Sequence, residues 1–167
     1  PKPKQIENGY AVSGDYKFGS TAVYHCDEGF EILKTPGVLC GSNGTWQSDP
    51  PKCQPIRCLN PPTIENGFYN KSSGDYKLND VVKYSCDDGY VLAGSDEIIC
   101  SSNKSWIAGI PTCVPVNCSE PEDIENGITQ REGLEFGNIA EYICLTNYKL
   151  VGKAQRKCLS NETWEGE

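Results

Sequence analysis

Ten cysteines and a single histidine, His25, are the residues of this 167-residue chain best equipped for chemistry. Thiolates can ligate metal, act as nucleophiles or couple as disulfides, and spacing separates these uses. Structural metal sites set paired ligands a few residues apart. Here no Cys-x-x-Cys occurs, and His25 is the one imidazole. A nucleophilic triad needs a base and a third group to orient it, yet no nucleophile-elbow motif accompanies His25, which reads as an outward-facing strand residue beside Cys26. Phosphate-cradling and calcium-loop patterns are also absent. The expectation is therefore no enzyme, no cofactor and no metal. The thiols are left with a disulfide framework, which belongs in an oxidising compartment: an extracellular chain, secreted or part of an ectodomain.

Composition agrees. Hydrophobic residues are 37% of the chain, Met is absent, and 17 Gly and 11 Pro punctuate it. Thin cores of this kind belong to small domains held by covalent staples. The net charge of −8 disfavours nucleic acid and other polyanions as partners. No apolar run approaches the length a membrane span requires, so no membrane insertion by this segment is expected.

The elements that position the cysteines recur. Ile-Glu-Asn-Gly begins at Ile6, Ile64 and Ile124, and Trp46, Trp106 and Trp164 keep the same rhythm. So do Cys26, Cys86 and Cys144, and likewise Cys40, Cys100 and Cys158. Fixed-period self-similarity marks a tandem array. Its modules are residues 1–53, 58–113 and 118–167, joined by linkers 54–57 and 114–117. The middle copy holds four cysteines, Cys58, Cys86, Cys100 and Cys113. Its spacing puts a leading cysteine immediately before Pro1 and a closing one four residues beyond Glu167, so the outer modules are expected to be cut. Each linker contains a proline and four extended residues reach only about 13 Å, so the modules should sit end to end as an elongated rod.

Period-two alternation precedes the second cysteine of each copy, as in Ala22, Tyr24 and Cys26 against Val23 and His25. That pattern predicts a strand with one buried face. Gly29, Gly89 and Asn147 follow in register and predict a tight turn with positive φ. No helical periodicity is sustained, so the fold class is all-β. Four cysteines alone permit three pairings.

Taken together, the Cys, the Ile-Glu-Asn-Gly, the Tyr-x-Cys strand, the Gly-aromatic turn, the Trp and the closing Pro and Cys resemble the complement control protein module. This module is also called the sushi domain or short consensus repeat. The resemblance covers the whole chain and implies first-to-third and second-to-fourth bridges. These are Cys26–Cys53, Cys58–Cys100, Cys86–Cys113 and Cys118–Cys158, leaving Cys40 and Cys144 without partners. It also implies noncovalent protein recognition outside cells. Regulator-type members bind activated third or fourth complement components; others build adhesive ectodomains or the stalks of proteases and receptors. Three positions depart from the pattern: Lys34 where Gly94 and Gly152 stand, Arg156 where Val38 and Ile98 stand, and Leu134 for Tyr16 and Tyr76. Tyr16 and Tyr76 are expected in the framework.

Five N-x-S/T triplets, at Asn43, Asn70, Asn103, Asn117 and Asn161, suit a secreted glycoprotein. Three precede the module tryptophan by three residues. Asn117 is the weakest, because Cys118 is its middle residue. The segments 10–15, 68–75 and 128–133 are candidate recognition loops. Acidic charge grows along the chain, −1, −3 and −5 by module. Lys17, Lys52, Arg57, Lys71, Lys77 and Lys83 make the first junction the least acidic region. Of these, Lys17, Arg57, Lys71, Lys77 and Lys83 are the candidate contacts for an acidic partner surface.

Overall fold

A computed structural model describes residues 1–70 and 74–166. Among them there is no α-helix, and hence no helix long and apolar enough to cross a membrane. The fold is all-β. In the first copy β1 (Gly9–Val12), β2 (Thr21–Cys26) and β4 (Gly37–Leu39) form an antiparallel sheet in the order β1-β2-β4. A separate ribbon joins β3 (Phe30–Ile32) to β5 (Cys53–Pro55). On β2, Ala22 and Tyr24 are buried while Thr21, Val23 and His25 face solvent. The period-two pattern thus becomes a one-faced sheet over a small core of Ala22, Tyr24 and Val38, with Ile6, Ala11, Ile32 and Trp46 packed against it.

The middle copy contributes β6 (Arg57–Cys58), β7 (Gly67–Tyr69), β8 (Tyr76–Lys77), β9 (Val81–Cys86), β10 (Tyr90–Ala93), β11 (Glu97–Cys100), β12 (Trp106–Ile107) and β13 (Thr112–Pro115). The third adds β14 (Gly127–Arg131), β15 (Ile139–Cys144) and β16 (Gln155–Lys157), paired in that order. Its core is Cys118, Ala140, Tyr142, Cys158 and Trp164. By contact density the chain divides into two compact units. One holds the first copy with β6, β8 and β12; the other holds β7, β10, β13 and the third copy. The division falls within β9 and β11.

Each connector lies inside a unit and is woven into strands. Gln54 and Pro55 end β5, and Arg57 opens β6. The Ile56 N–H donates to the Gly29 carbonyl at 2.8 Å, and the Leu78 N–H donates to the Ile56 carbonyl at 3.2 Å. The second connector repeats this: Val116 N–H to Gly89 carbonyl, 2.9 Å, and Phe136 N–H to Val116 carbonyl, 2.8 Å. Ile56 and Val116 are buried. Gly29, Gly89 and Asn147 all have positive φ, between 75° and 86°, which sets the turn after each long strand.

The Ile-Glu-Asn-Gly motif has a steric cause. Asn8, Asn66 and Asn126 occupy left-handed backbone, φ 55–56°, a region Asn tolerates better than most residues. The glycine that follows lies against the neighbouring strand. A Cβ on Gly67 would fall 2.6 Å from the Ser85 carbonyl oxygen and 2.7 Å from the Cys113 sulfur. Only hydrogen fits there.

One sequence expectation needs correction. Tyr76 is 1% exposed and meets Trp106 edge to face at 5.3 Å, but Tyr16 is 48% exposed. Tyr76 is held because β8 pairs with β6; among the described residues no strand pairs with the segment carrying Tyr16. The candidate recognition segments 10–15, 68–75 and 128–133 each begin in strand, with Tyr10–Val12, Phe68–Tyr69 and Ile128–Arg131 in β1, β7 and β14. Once the glycine turn is made, these residues pair with the long strand and alternate in and out.

Candidate functional site

Four disulfides staple the repeats: Cys26–Cys53, Cys58–Cys100, Cys86–Cys113 and Cys118–Cys158. Cys40 is a buried free thiol bridged through its backbone to Trp46, and Cys144, also free, ends β15 half-buried. A second tie recurs. The indole N–H of Trp46, Trp106 and Trp164 donates to the carbonyl of Pro1, Leu59 and Ser119 at 3.1, 2.9 and 2.8 Å, equivalent positions in the three copies. With their cores so fixed, what the repeats can offer a partner is their outward faces.

The outward face of each first hairpin carries a large apolar side chain immediately after the Asn-Gly turn. Tyr10 is 50% exposed, Phe68 55% and Ile128 46%. Their cross-strand partners are His25, Ser85 and Ile143. Tyr10 and His25 stack with centroids 5.5 Å apart and planes inclined 26°, and Val12 faces Val23 beside them. Ile128 faces the exposed Ile143. An exposed hydrophobe thus recurs at one equivalent position in the three repeats. These residues fall inside segments 10–15, 68–75 and 128–133, and the signal in the sequence that points to them is alternation continuing past the glycine.

The structure places Lys17, Arg57 and Lys77 in one unit and Lys83 in the other; Lys71 lies outside the described residues. Arg57 is ion-paired with Asp75. Lys83 reaches Asp96 at 2.8 Å and Glu97 at 3.8 Å, and the Asp96 hydrogen bond holds its ammonium above the ordinary lysine value. Two of the candidate cations are thus engaged by carboxylates of the same chain. Lys17 and Lys77 occupy equivalent turns, with Ser20 N–H and Asp80 N–H donating to their carbonyls at 3.0 Å, and neither makes an ion pair among the described residues. One cation not singled out from sequence proves structural. Lys104 reaches back to Glu31 of the preceding repeat at 2.7 Å, while Gln54 Nε2 donates to the same carboxylate at 2.8 Å. Lys104 foremost, then Gln54, hold the Glu31 carboxyl below its usual range.

The third copy departs where Arg156 replaces a core hydrophobe. Val38 and Ile98 are buried, whereas Arg156 is half-buried, its guanidinium 5.8 Å from the Tyr142 ring centroid and 3.2 Å from the Gly166 carbonyl. Beside it Lys153 pairs with Glu165 at 2.8 Å, which lowers the Glu165 carboxyl. Among the described residues no group of side chains is arranged to hold a metal ion. His25 lies on the exposed face of β2.

The sushi repeat (SCR repeat) family model matches residues 1–53, 58–113 and 118–167. The mouse sushi, von Willebrand factor type A, EGF and pentraxin domain-containing protein 1 is 34% identical over 164 residues, covering 98% of this chain and 5% of that protein. The complement control protein C3 of vaccinia virus is 33% identical over 174 residues, covering all of this chain and 65% of the viral protein. Bovine membrane cofactor protein is 36% identical over 169 residues, 93% of this chain and 46% of its own length. The chain therefore spans less than two thirds of each of these relatives. Three matched repeats, spanning nearly the whole sequence, establish that the chain belongs to the sushi repeat (SCR repeat) family.

Proposed function

We propose that this chain is a non-enzymatic, extracellular protein-recognition array, and that its partner is an activated third or fourth complement component. The observation that carries the recognition reading is the exposed apolar residue at one equivalent position per repeat, Tyr10, Phe68 and Ile128. Such positions suit a partner that contacts consecutive repeats, Tyr10 above all, because aromatic anchors are prominent among the residues that carry binding energy while the surrounding contacts exclude water. Support for the complement assignment comes from relatives named as a complement control protein, a complement receptor type 2 and a membrane cofactor protein. Charge contributes to orientation more than to strength. Lys17 and Lys77 are the cations best placed to meet an acidic patch, since Arg57 and Lys83 already have carboxylate partners.

The test is binding of the chain to immobilised activated third and fourth components across ionic strength. Saturable binding that weakens with salt, and weakens further in Lys77→Glu, supports the reading. Absence of binding at low ionic strength sinks the complement assignment.

A second reading is favoured by a separate observation: relatives also include the large mouse multidomain protein above and human E-selectin, 28% identical over 171 residues. On that reading the repeats belong to an adhesive or scaffolding ectodomain, or to the stalk of a receptor or protease. The outward anchors then meet a cell-surface or matrix protein, and the complement assay is silent.

A further inference from the structure

Five sequons are present, and among the described residues three share one construction. In Asn43-Gly44-Thr45, the Asn43 Oδ1 accepts from the Thr45 N–H at 3.1 Å and from its hydroxyl at 2.7 Å. In Asn161-Glu162-Thr163 the same two bonds measure 3.3 and 2.8 Å. In Asn103-Lys104-Ser105 they measure 3.2 and 2.5 Å, with the Ser101 hydroxyl a further donor. The middle residue is left-handed in all three, at φ 73°, 65° and 65°, although only one of them is glycine. Each loop is closed by a backbone bond, from Gly41 to Thr45, Ser101 to Ser105 and Leu159 to Thr163, at 2.8–2.9 Å. The asparagine is exposed each time, and among the described residues its Nδ2 has no partner.

Asn117 is built differently. It is extended and bridged to Glu135; its middle residue, Cys118, is buried in the Cys118–Cys158 disulfide, and the Ser119 carbonyl is taken by Trp164. Here nothing presents the carboxamide on a turn. Asn70 spends its Oδ1 on the Lys83 N–H at 3.1 Å, and the rest of its sequon lies outside the described residues.

From this contrast we infer that Asn43, Asn103 and Asn161 carry N-linked glycans and Asn117 does not. The inference rests on the extracellular reading, since the modification needs the secretory route. In the transfer, the asparagine Nδ2 bonds to the anomeric carbon of a lipid-pyrophosphate-linked oligosaccharide. That carbon's bond to phosphate oxygen breaks, the lipid pyrophosphate leaves, and Nδ2 gives up one proton. The Asn103 site has a local consequence, because the next residue is the Lys104 that holds Glu31. A glycan there covers the loop bracing the first junction, so a partner approaching that unit must use surface away from it.

The test is site mapping of the whole chain secreted from eukaryotic cells. Peptide-N-glycosidase in ¹⁸O-water converts each occupied asparagine to ¹⁸O-labelled aspartate, and an enzyme-free control corrects for spontaneous loss of the amide at Asn43-Gly44. Label at 43, 103 and 161 with Asn117 unlabelled is expected. Absence of label at any of the three, or label at 117, overturns the inference. Asn43→Gln, Asn103→Gln and Asn161→Gln should each lose one glycan step in intact mass, and should a variant fail to be secreted, mapping of the parent chain still decides. A secreted chain that carries all three glycans but binds no complement component would refute the proposed partner and leave this inference standing.

Discussion

Lys104 of the second repeat lies 2.7 Å from Glu31 of the first, and Gln54 of the connector holds the same carboxylate. The three side chains belong to a loop, a strand and a linker that meet only after folding. Because Lys104 and Gln54 depress the Glu31 carboxyl, the bond is intact above the ordinary carboxylate range and is lost as pH falls through the depressed value. Glu31→Gln should therefore melt slightly below the parent at neutral pH and low salt. The two curves should converge both in acid and at high ionic strength, because the pair is solvent-accessible. A melting difference that persists in acid would refute the assignment.

The second junction should be sensitive to a single methyl group. Tyr90 and Phe136 meet edge to face at 5.8 Å, and a Cβ on Gly89 would fall 2.6 Å from Phe136 Cγ at a backbone φ of 86°. Gly89→Ala must displace the ring, and Phe136→Ala removes it, forfeiting about 0.5–1.5 kcal/mol of aromatic contact beyond the area lost. In either variant the Val116 amide, which donates to the Gly89 carbonyl, should exchange with solvent faster, while the amides of β2 remain unchanged.

Replacing both cysteines of the Cys58–Cys100 bridge by alanine opens a loop of sequence separation 42. Chain entropy alone puts the loss at about 4 kcal/mol, a large part of the stability of a typical domain. The denaturant midpoint should fall sharply, and Trp106, whose backbone pairs with Cys100 and whose indole donates to the Leu59 carbonyl, should report it by fluorescence.

Surface anchors should separate binding from folding. Tyr10→Ser, Phe68→Ser and Ile128→Ser change exposed side chains, so melting temperatures should barely move, within about 0.5 kcal/mol of the parent. Partner binding should weaken in each and most in the triple variant. Unchanged affinity in the triple variant would remove these positions from the interface.

Much of this architecture is visible in the sequence because its causes are local. The alternation around Tyr24, Tyr84 and Tyr142 is a property of neighbouring residues, and so is the left-handed turn at Gly29, Gly89 and Asn147. What escapes the sequence depends on distant partners. Tyr16 and Tyr76 sit in the same local pattern, Ser-Gly-Asp-Tyr-Lys, yet only Tyr76 finds a strand to hold it. Lys104 looks like any loop lysine until Glu31, remote in sequence, is placed beside it. Arg156 reads as a defect in a core position, and folding resolves it by laying the guanidinium over Tyr142 and out to Gly166.

The interlocked bridges of the middle repeat also govern its response to tension. A chain pulled from Cys58 and Cys113 has 55 residues of contour between them, about 190 Å when drawn straight. With Cys58 bonded to Cys100, the load bypasses most of that length, leaving 13 residues, or about 45 Å, free to pay out. Under shear the repeat behaves as a short tether with a hard stop; reducing that sulfur–sulfur bond alone frees the 28 residues from Cys58 to Cys86, about 95 Å, and the full length pays out only when Cys86–Cys113 is reduced as well.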